Sequence, residues 1–302
     1  MTDMYSAKPA PRLLFLSGAL MLSAVGTGAL VCAINDVPPA LWSRNLAAWL
    51  IGLLAAGLLQ TQGSRWLSIW IPLAALLLAG TFLGPGQSGV HRWFAVGPLS
   101  VNAAMLLLPV AVVSLSALEK ISPWVWVITL IAMALLVAQP DRSQASAFGI
   151  ALVWTALTGS GSLPGKLALV LSTVLMIAAS WLRADPLEPV PAVEGILQLA
   201  LASSPMLASV VVASLLGVVL LPVWASWGVS TAYRRVGVAL TLYFLVTVIM
   251  SVIGAYPVPL VGLGVSPIVG AWLAIGALSV GAKIQPGDTT PKIRTITDRH
   301  GA

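Results

Sequence analysis

Long apolar runs separated by short polar gaps make up most of this chain. Each run has roughly the ~20 residues that a helix needs to cross about 30 Å of hydrocarbon, and none alternates apolar and polar residues as a transmembrane barrel strand does. The pattern therefore predicts an all-α fold, a polytopic membrane helix bundle of about ten transmembrane helices. The predicted spans are residues 13–33, 45–60, 66–83, 103–118, 123–138, 146–163, 167–182, 206–227, 236–255 and 262–282. Residues 1–282 then form one ten-span domain, and the polar residues 283–302 form a disordered cytoplasmic tail.

Composition supports a lipid environment. Hydrophobic residues make up 59% of the 302 residues, charged residues only 8%, and the mean hydropathy is +0.99. A charge at bilayer depth is costly, so the charges collect in the gaps between spans. The net charge of +6 is spread thinly over many loops and forms no basic patch, which argues against a nucleic-acid partner.

The residue types of common metal and disulfide sites are scarce. The single cysteine, Cys32, cannot form an internal disulfide, and the two histidines, His91 and His300, are too far apart in the chain to ligate zinc together. No glycine-rich phosphate loop followed by Lys and Ser or Thr occurs. The sequence thus predicts no metal site and no cofactor, with a divalent cation expected only if the protein is catalytic.

Basic residues also predict the orientation. With an even number of spans, the polar gaps divide into two alternating sets, and both termini belong to the same set. Eleven of the fifteen Lys and Arg residues fall in the set that contains the termini, and the other set has only Arg44, Arg92, Arg142 and Arg183. Because cytoplasmic loops carry the excess of positive charge, we expect both termini in the cytoplasm.

Two loops on the other side, residues 84–102 and 183–205, are long enough to contain a site. The second loop contains three acids: Asp185, Glu188 and Glu194. A short amphipathic stretch, 193–202, includes Glu194 and follows the other two acids. It is predicted to lie along the membrane interface. Any chemistry is therefore expected in these two loops.

The first loop carries a motif that indicates a family. Its run Gly89-Val-His-Arg92-Trp93-Phe-Ala-Val-Gly97 resembles the Gly-x-x-Arg-Trp-x-x-x-Gly signature of the SEDS proteins (shape, elongation, division and sporulation), the RodA and FtsW type. Between spans five and six, Gln139-Pro140-Asp141 is similar to the Gln-Pro-Asp turn of that family. Before the last span, Tyr256-Pro-Val-Pro259 and Gly262-Leu-Gly264-Val-Ser266 resemble, in eroded form, the stretch that leads into the family's last helix.

The resemblance implies a polytopic protein of the bacterial inner (plasma) membrane that serves peptidoglycan synthesis in cell shape or cell division. SEDS proteins polymerise lipid-linked peptidoglycan precursors, a reaction in which a sugar hydroxyl displaces a polyprenyl diphosphate. The implied partners are a lipid-linked cell-wall precursor, membrane lipid, and a single-span transpeptidase or another envelope protein.

This chain departs from the family at positions that matter for catalysis. Ala103-Ala104-Met105 stands where the family has Pro-Ser-Glu, and Leu108 stands where a Lys usually follows. The register through Ser214-Leu-Leu-Gly217 places the family's catalytic aspartate at or near Met206. The expected carboxylate is therefore missing.

The implied reaction needs a carboxylate to take the proton of the acceptor hydroxyl, and cationic groups or a metal to hold the leaving diphosphate. Arg92 is the candidate for the diphosphate, although a salt bridge to Asp141 or a position at the membrane interface would also explain it. Glu194 and Asp185 are the candidate catalytic bases. Each also has a structural explanation: Asp185 would open a turn, and Glu194 would solvate one face of a short helix. Asp141 is expected mainly to cap span six or to fix the turn. The candidate substrate-binding residues are Arg92, Trp93, Asp141, Gln198 and Ser266.

Three functions remain open. The missing acid, together with the lost Pro-Ser-Glu and Lys, favours a non-catalytic SEDS-like protein that binds a polyprenyl-linked precursor or a cell-wall partner. The alternative is an active peptidoglycan-type glycosyltransferase that uses a relocated acid in the 183–205 loop. A lesser alternative is a lipid flippase or transporter, a class whose usual intramembrane charges are absent from the predicted spans.

Overall fold

The computed structural model describes residues 9–62, 64–97, 99–118 and 120–281. The predicted disordered tail, residues 283–302, lies outside this part of the chain. Eleven α-helices occur within it: α1 (Pro9–Ile34), α2 (Pro39–Gln62), α3 (Trp70–Gly80), α4 (Ala103–Ala117), α5 (Pro123–Ala138), α6 (Arg142–Thr158), α7 (Leu163–Trp181), α8 (Ile196–Ser203), α9 (Pro205–Ser226), α10 (Thr231–Ile253) and α11 (Val265–Gly281).

The remaining regular elements are short. Two 3-10 helices, Ser64–Ile69 and Thr81–Leu83, extend α3 at its two ends. An antiparallel hairpin of β1 (Trp93–Val96) and β2 (Leu99–Asn102) lies between α3 and α4. Its register pairs Trp93 with Asn102, so the start of β1 lies beside the start of α4.

Each of the ten predicted spans coincides with one helix, and α8 coincides with the predicted amphipathic stretch. By length and hydropathy, α2, α7, α9, α10, most of α1 and the extended α3 are each able to cross a membrane. The helices α4, α5 and α11 are apolar but shorter. The prediction of a polytopic membrane helix bundle is confirmed.

Several helices begin before the predicted span. A proline at the first position starts α2, and serine side chains that cap a free backbone N–H start α7 and α10. The helical backbone thus continues beyond the apolar run, because these caps supply the hydrogen bonds that the first turn lacks. As a result, four basic residues predicted in loops lie in helices: Arg44, Lys166, Arg234 and Arg235.

The core of the bundle lies around α4, α10 and α11. Helix α11 packs against α2 and α4, and α10 packs against α4, α6 and α9. Trp272 of α11 is fully buried and contacts Trp49 of α2 edge to face, with ring centroids 6.0 Å apart. In contrast, α7 buries only Thr173 and Ser180 and leaves most of its apolar surface to the lipid.

The packing of α11 on α4 depends on Gly270. A Cβ atom at this position would overlap the carbonyl oxygen of Met105 and lie 2.8 Å from that of Leu106. Both obstacles are backbone atoms, so relief requires the two helices to separate. We expect Gly270→Ala to lower the free energy of unfolding by about 1–3 kcal/mol, measured by chemical denaturation in detergent micelles.

Gly57 provides the matched control for this prediction. It also lies inside a helix, α2, but a Cβ atom there would meet nothing within 4 Å. Gly57→Ala should therefore be neutral or stabilise the protein by up to about 1 kcal/mol, because alanine loses less backbone entropy on folding. Equal effects of the two substitutions would contradict the close-packing argument.

Candidate functional site

A polar cavity of about 280 Å³ opens where four interhelical connections meet at one end of the bundle. The connections are those between α3 and α4, α5 and α6, α7 and α8, and α10 and α11. The cavity is lined by six of the seven predicted site residues: Arg92, Trp93, Asp141, Asp185, Glu194 and Ser266. The structure therefore brings together residues that are up to 174 positions apart in the chain.

Arg92 is the central cation of the cavity and is buried. Its Nη2 donates to Asp185 Oδ2 at 2.6 Å and to the carbonyl of Pro140 at 2.5 Å, and its Nε donates to the carbonyl of Gln139 at 3.1 Å. The carboxylate of Asp141 lies 3.7 Å from Nε. Among the described residues no group bonds Nη1, so one amino nitrogen keeps its donors for a ligand.

Asp141 is buried at the start of α6 and caps this helix, as expected. Its Oδ1 accepts a hydrogen bond of 3.1 Å from the backbone N–H of Gln144. Burial raises the pKa of the Asp141 carboxyl, and the nearby charge of Arg92 partly opposes that shift. Because the side chain fixes both the helix start and the arginine, its role is mainly architectural.

Asp185 uses both of its carboxylate oxygens within the protein. Oδ2 is paired with Arg92, and Oδ1 accepts a bond of 3.3 Å from the backbone N–H of Leu187. This second bond is the turn-opening interaction typical of an aspartate before a proline-rich loop. A carboxylate that is held in this way is poorly available to take a proton from a substrate.

Glu194 is only partly engaged and lies half-buried at the cavity wall. Its Oε2 accepts a bond of 2.7 Å from the backbone N–H of Val190 and closes a turn, and the backbone N–H of Glu194 itself also stabilises the carboxylate. Burial raises the pKa of the Glu194 carboxyl. Of the two predicted bases, Glu194 is the one that forms no ion pair with a cation in the described ranges.

Backbone hydrogen bonds join the 183–205 loop to the loop between α10 and α11. The N–H of Val258 donates to the carbonyl of Val193 at 3.2 Å, and the N–H of Leu263 donates to that of Ala192 at 2.9 Å. Asn45 of α2 holds the same loop from the other side: its Nδ2 donates to the carbonyl of Gly262 and its Oδ1 accepts from the N–H of Gly264. The cavity walls therefore form one connected unit.

Of the other predicted substrate-binding residues, Ser266 and Trp93 line the cavity and Gln198 does not. The Oγ of Ser266 accepts a 2.8 Å bond from the backbone N–H of Asn102, so it joins α11 to the start of α4. Gln198 is exposed on α8 and is not among the residues that line the cavity. Trp93 does line it, with its ring centroid 5.9 Å from the guanidinium carbon of Arg92.

Tyr256, Asn102 and Glu188 also line the cavity, and none of them is a predicted site residue. Tyr256 belongs to the stretch that resembles the SEDS family, so the motif could have indicated it. Asn102 directly precedes an apolar run and caps α4 by accepting from the N–H of Met105, which is a helix-start signal. These residues complete the polar wall around Arg92.

Carboxylates outnumber the cation at this site. Arg92 faces four acids and forms ion pairs with two of them, Asp141 and Asp185. In the described ranges, no group of three or more His, Cys, Asp or Glu side chains is arranged to hold a metal ion. The described residues therefore contain no preformed cluster for the divalent cation that is an option if the protein is catalytic.

A narrow apolar groove adjoins the polar cavity inside the bundle. It is lined by residues of α4, α6, α9, α10 and α11 and shares Met105, Pro257 and Pro267 with the cavity. Its polar groups are Gln144, Tyr243 and Thr247, and the hydroxyl of Tyr243 donates to the side-chain oxygen of Gln144. A polar head in the cavity and an apolar chain in the groove would therefore be neighbours.

The fold and the cavity together define a multi-pass helical membrane protein with a polar site at one end of the bundle and an apolar groove beside it. The structure is similar to the crystal structure of the rod shape determining protein RodA of Thermus thermophilus, with a TM-score of 0.61 and 21% identity over 90% of this chain and 96% of that one. A mutant of the same RodA gives a TM-score of 0.62, with 20% identity and the same coverage.

A chain of a peptidoglycan synthase complex is also similar, with a TM-score of 0.58 and 22% identity over 92% of this chain and 98% of that one. At these levels of identity the likeness establishes the fold. No protein-family model and no curated protein matches the sequence.

Proposed function

We propose that this protein is a SEDS-type component of bacterial cell-envelope assembly that binds a polyprenyl-linked cell-wall precursor without polymerising it. The proposal rests on one observation: the cavity around Arg92 adjoins an apolar groove. The free Nη1 of Arg92 suits an oxygen of a diphosphate, because guanidinium pairs closely with phosphate. The groove has a volume of only about 30 Å³ in this structure, so its apolar walls would have to move apart to admit the first isoprene units of the carrier.

The lack of a committed base supports the non-catalytic form of this proposal. Asp141 caps a helix, and both oxygens of Asp185 are engaged. Met206, which stands near the position of the family's catalytic acid, has no proton-accepting group and is 78% exposed on α9. The similarity to a peptidoglycan synthase complex supports a partner from the envelope, and we assign the single-span transpeptidase type to it.

The same proposal places the protein in the inner membrane with both termini in the cytoplasm. The four arginines of the opposite loops include Arg92, so the cavity would then open to the outer face of that membrane. A lipid-linked precursor presented on that face would reach the cavity through the adjoining groove.

Lipid retention tests the proposal. Purified protein is incubated with a polyprenyl diphosphate-linked disaccharide-peptide, and the bound lipid is counted by native mass spectrometry. Asp185 neutralises much of the charge of Arg92 and would repel the diphosphate at Nη1, so Asp185→Asn should raise retention about fivefold. Asp36→Asn is the matched control, because Asp36 is an exposed aspartate in the loop between α1 and α2.

No retention by the wild type, or the same retention in both variants, would refute the binding site. An excess of polyprenyl monophosphate should displace the ligand poorly if the diphosphate is what Arg92 recognises. Equal displacement by the monophosphate would refute that part of the proposal.

Glu194 favours a second candidate function, an active glycosyltransferase. It lines the cavity, forms no ion pair with a cation in the described ranges, and has a pKa raised by burial, which brings a carboxylate closer to the range of a general base. Glycan chains formed by the wild type, lost in Glu194→Gln and retained in Glu188→Gln would establish this function and overturn the non-catalytic proposal. Glu188 is the matched control because it is an acid of the same loop and cavity.

A further inference from the structure

A second cleft, of about 610 Å³, opens at the end of the bundle opposite the polar cavity. The two ends of α4 show that the cavities lie at opposite ends of the bundle. The polar cavity includes Asn102, at the start of α4. The second cleft includes Arg235, which donates to carbonyls at the end of α4. Its described lining residues are Trp154, Thr158, Trp227, Thr231, Ala232, Arg234, Arg235 and Val238. No acidic residue is among them.

Arg235 and Trp154 hold the walls of this cleft together. The guanidinium of Arg235 donates to the carbonyls of Ser116, at 3.0 and 2.7 Å, and Leu118, at 2.8 Å. The indole N–H of Trp154 donates to the carbonyl of Arg235 at 3.0 Å. These bonds join α4, α6 and α10, so the cleft is a built feature of the helix packing.

Arg234 has a different environment from its neighbour. Its side chain is exposed, and its guanidinium carbon lies 5.6 Å from the ring centroid of Trp227. It forms no ion pair with any carboxylate in the described ranges. Stacking on an indole orients a guanidinium by one face and leaves the N–H groups at its edge available, which is the geometry that receives phosphate oxygens.

The position of the cleft identifies the source of such a phosphate. The cleft lies where α6 ends at Thr158, α9 ends at Ser226 and α10 begins at Thr231. The ends of spans, with tryptophans beside them, lie at the depth of lipid headgroups. Below Arg234 the wall continues with Trp154 and Val238, which suit an acyl chain.

We propose that this cleft binds one anionic phospholipid, with the headgroup phosphate on Arg234 and an acyl chain against Trp154 and Val238. The charge of the cleft favours an anionic lipid over a zwitterionic one, because the ammonium group of a zwitterionic lipid would meet Arg234 and Arg235 and, among the described lining residues, no carboxylate. The site is independent of the polar cavity and of the proposed precursor, since it lies at the other end of the bundle.

Native mass spectrometry of the full chain in detergent micelles tests the site. The protein is incubated with dioleoyl phosphatidylglycerol or with dioleoyl phosphatidylcholine, and the lipid retained as a single adduct is compared. We expect phosphatidylglycerol to be retained in preference, and Arg234→Gln to lower its retention about tenfold, as loss of a charge-assisted phosphate contact predicts. Retention of phosphatidylcholine should change less, because the lost attraction to its phosphate is offset by the lost repulsion of its ammonium group.

Two further variants make the test specific. Arg12→Gln removes the same charge from an exposed site in the first helix, and it should leave phosphatidylglycerol retention unchanged. Trp227→Ala keeps the charge of Arg234 but removes the ring on which it stacks, so it should lower retention by a smaller factor. Thermal unfolding of each variant establishes that the bundle is intact.

Three results would overturn the proposal. Equal loss in Arg12→Gln and Arg234→Gln would mean that only the overall charge attracts the lipid. Equal retention of the two phospholipids by the wild type would remove the headgroup preference. Displacement of phosphatidylglycerol by inorganic phosphate at a similar concentration would make the site one for the free anion instead of a lipid.

Discussion

Replacing Arg92 by glutamine is expected to lower the free energy of unfolding by about 3–5 kcal/mol, because it leaves the carboxylates of Asp141 and Asp185 without their cation in a largely buried site. The carbonyls of Gln139 and Pro140 would lose their donors at the same time. Chemical denaturation in detergent micelles measures the loss. Precursor retention should disappear as well, since Arg92 is the cation of the cavity.

Two other substitutions separate the causes of this loss. Arg92→Lys keeps the charge but lacks the planar fork that serves two carbonyls and a carboxylate together, so it should be intermediate. Arg183→Gln removes an exposed arginine at the end of α7 and should change the stability by no more than about 0.5 kcal/mol. An Arg92→Gln variant as stable as Arg183→Gln would contradict the account of the ion pairs.

The pH dependence of Arg92→Gln adds a check with a definite sign. Burial already raises the pKa of Asp141 above its ordinary value, and loss of Arg92 removes the charge that opposes this shift. A raised folded-state pKa means that the folded protein binds the proton more tightly than the unfolded chain does. The deficit should therefore shrink as the pH falls through the raised pKa and be largest above it. A deficit that grows on acidification would refute the buried-charge explanation.

Much of this architecture could be predicted because lipid imposes a simple rule on the sequence. A span must be apolar over a fixed length, so the ten runs identify the ten long helices. The helix ends were less predictable: caps such as Ser162 and Ser230 start the helix outside the apolar run. Hydropathy locates the part of a helix in hydrocarbon, whereas capping decides where the backbone begins to coil.

The clustering of Arg92, Asp141 and Asp185 was predictable in part, because their loops lie on the same side of the bundle. Their pairing was not. The sequence allowed Arg92 either a ligand or a salt bridge to Asp141, and the structure gives it a shorter contact with Asp185, at 2.6 Å. Which carboxylate reaches the arginine depends on the path of the 183–205 loop, and loop paths have no periodicity to read.

Asn45 illustrates what a sequence pattern hides. It stands at the start of a predicted apolar span, where a single amide looks like a boundary residue. In the structure it is buried and bonds two backbone groups more than 200 positions away, at Gly262 and Gly264. The eroded motif before the last helix thus keeps its position through a partner in α2 that the motif itself does not contain.

Asn45→Ala is therefore expected to lower the free energy of unfolding by about 1–3 kcal/mol, since it leaves the buried carbonyl of Gly262 unpaired, at about 1–2 kcal/mol, and the half-buried N–H of Gly264 at a smaller cost. The same substitution should release the loop between α10 and α11, and amide hydrogen exchange at Gly264 would report it as faster exchange. Because this loop supplies Tyr256 and Pro257 to the cavity, precursor retention should fall even where the bundle remains folded.

Asn35→Ala is the matched control for Asn45→Ala. Asn35 also donates through its side chain, to Val31 and Ser203, but it is only half-buried, so water can replace the lost bonds and the cost should stay below about 1 kcal/mol. If Asn45→Ala lowered stability without speeding exchange at Gly264, the asparagine would be a packing residue alone. Faster hydrogen exchange at Gly264 together with lower precursor retention would mean that the Asn45 side chain positions the cavity wall. An intact membrane bundle would then not be sufficient for binding.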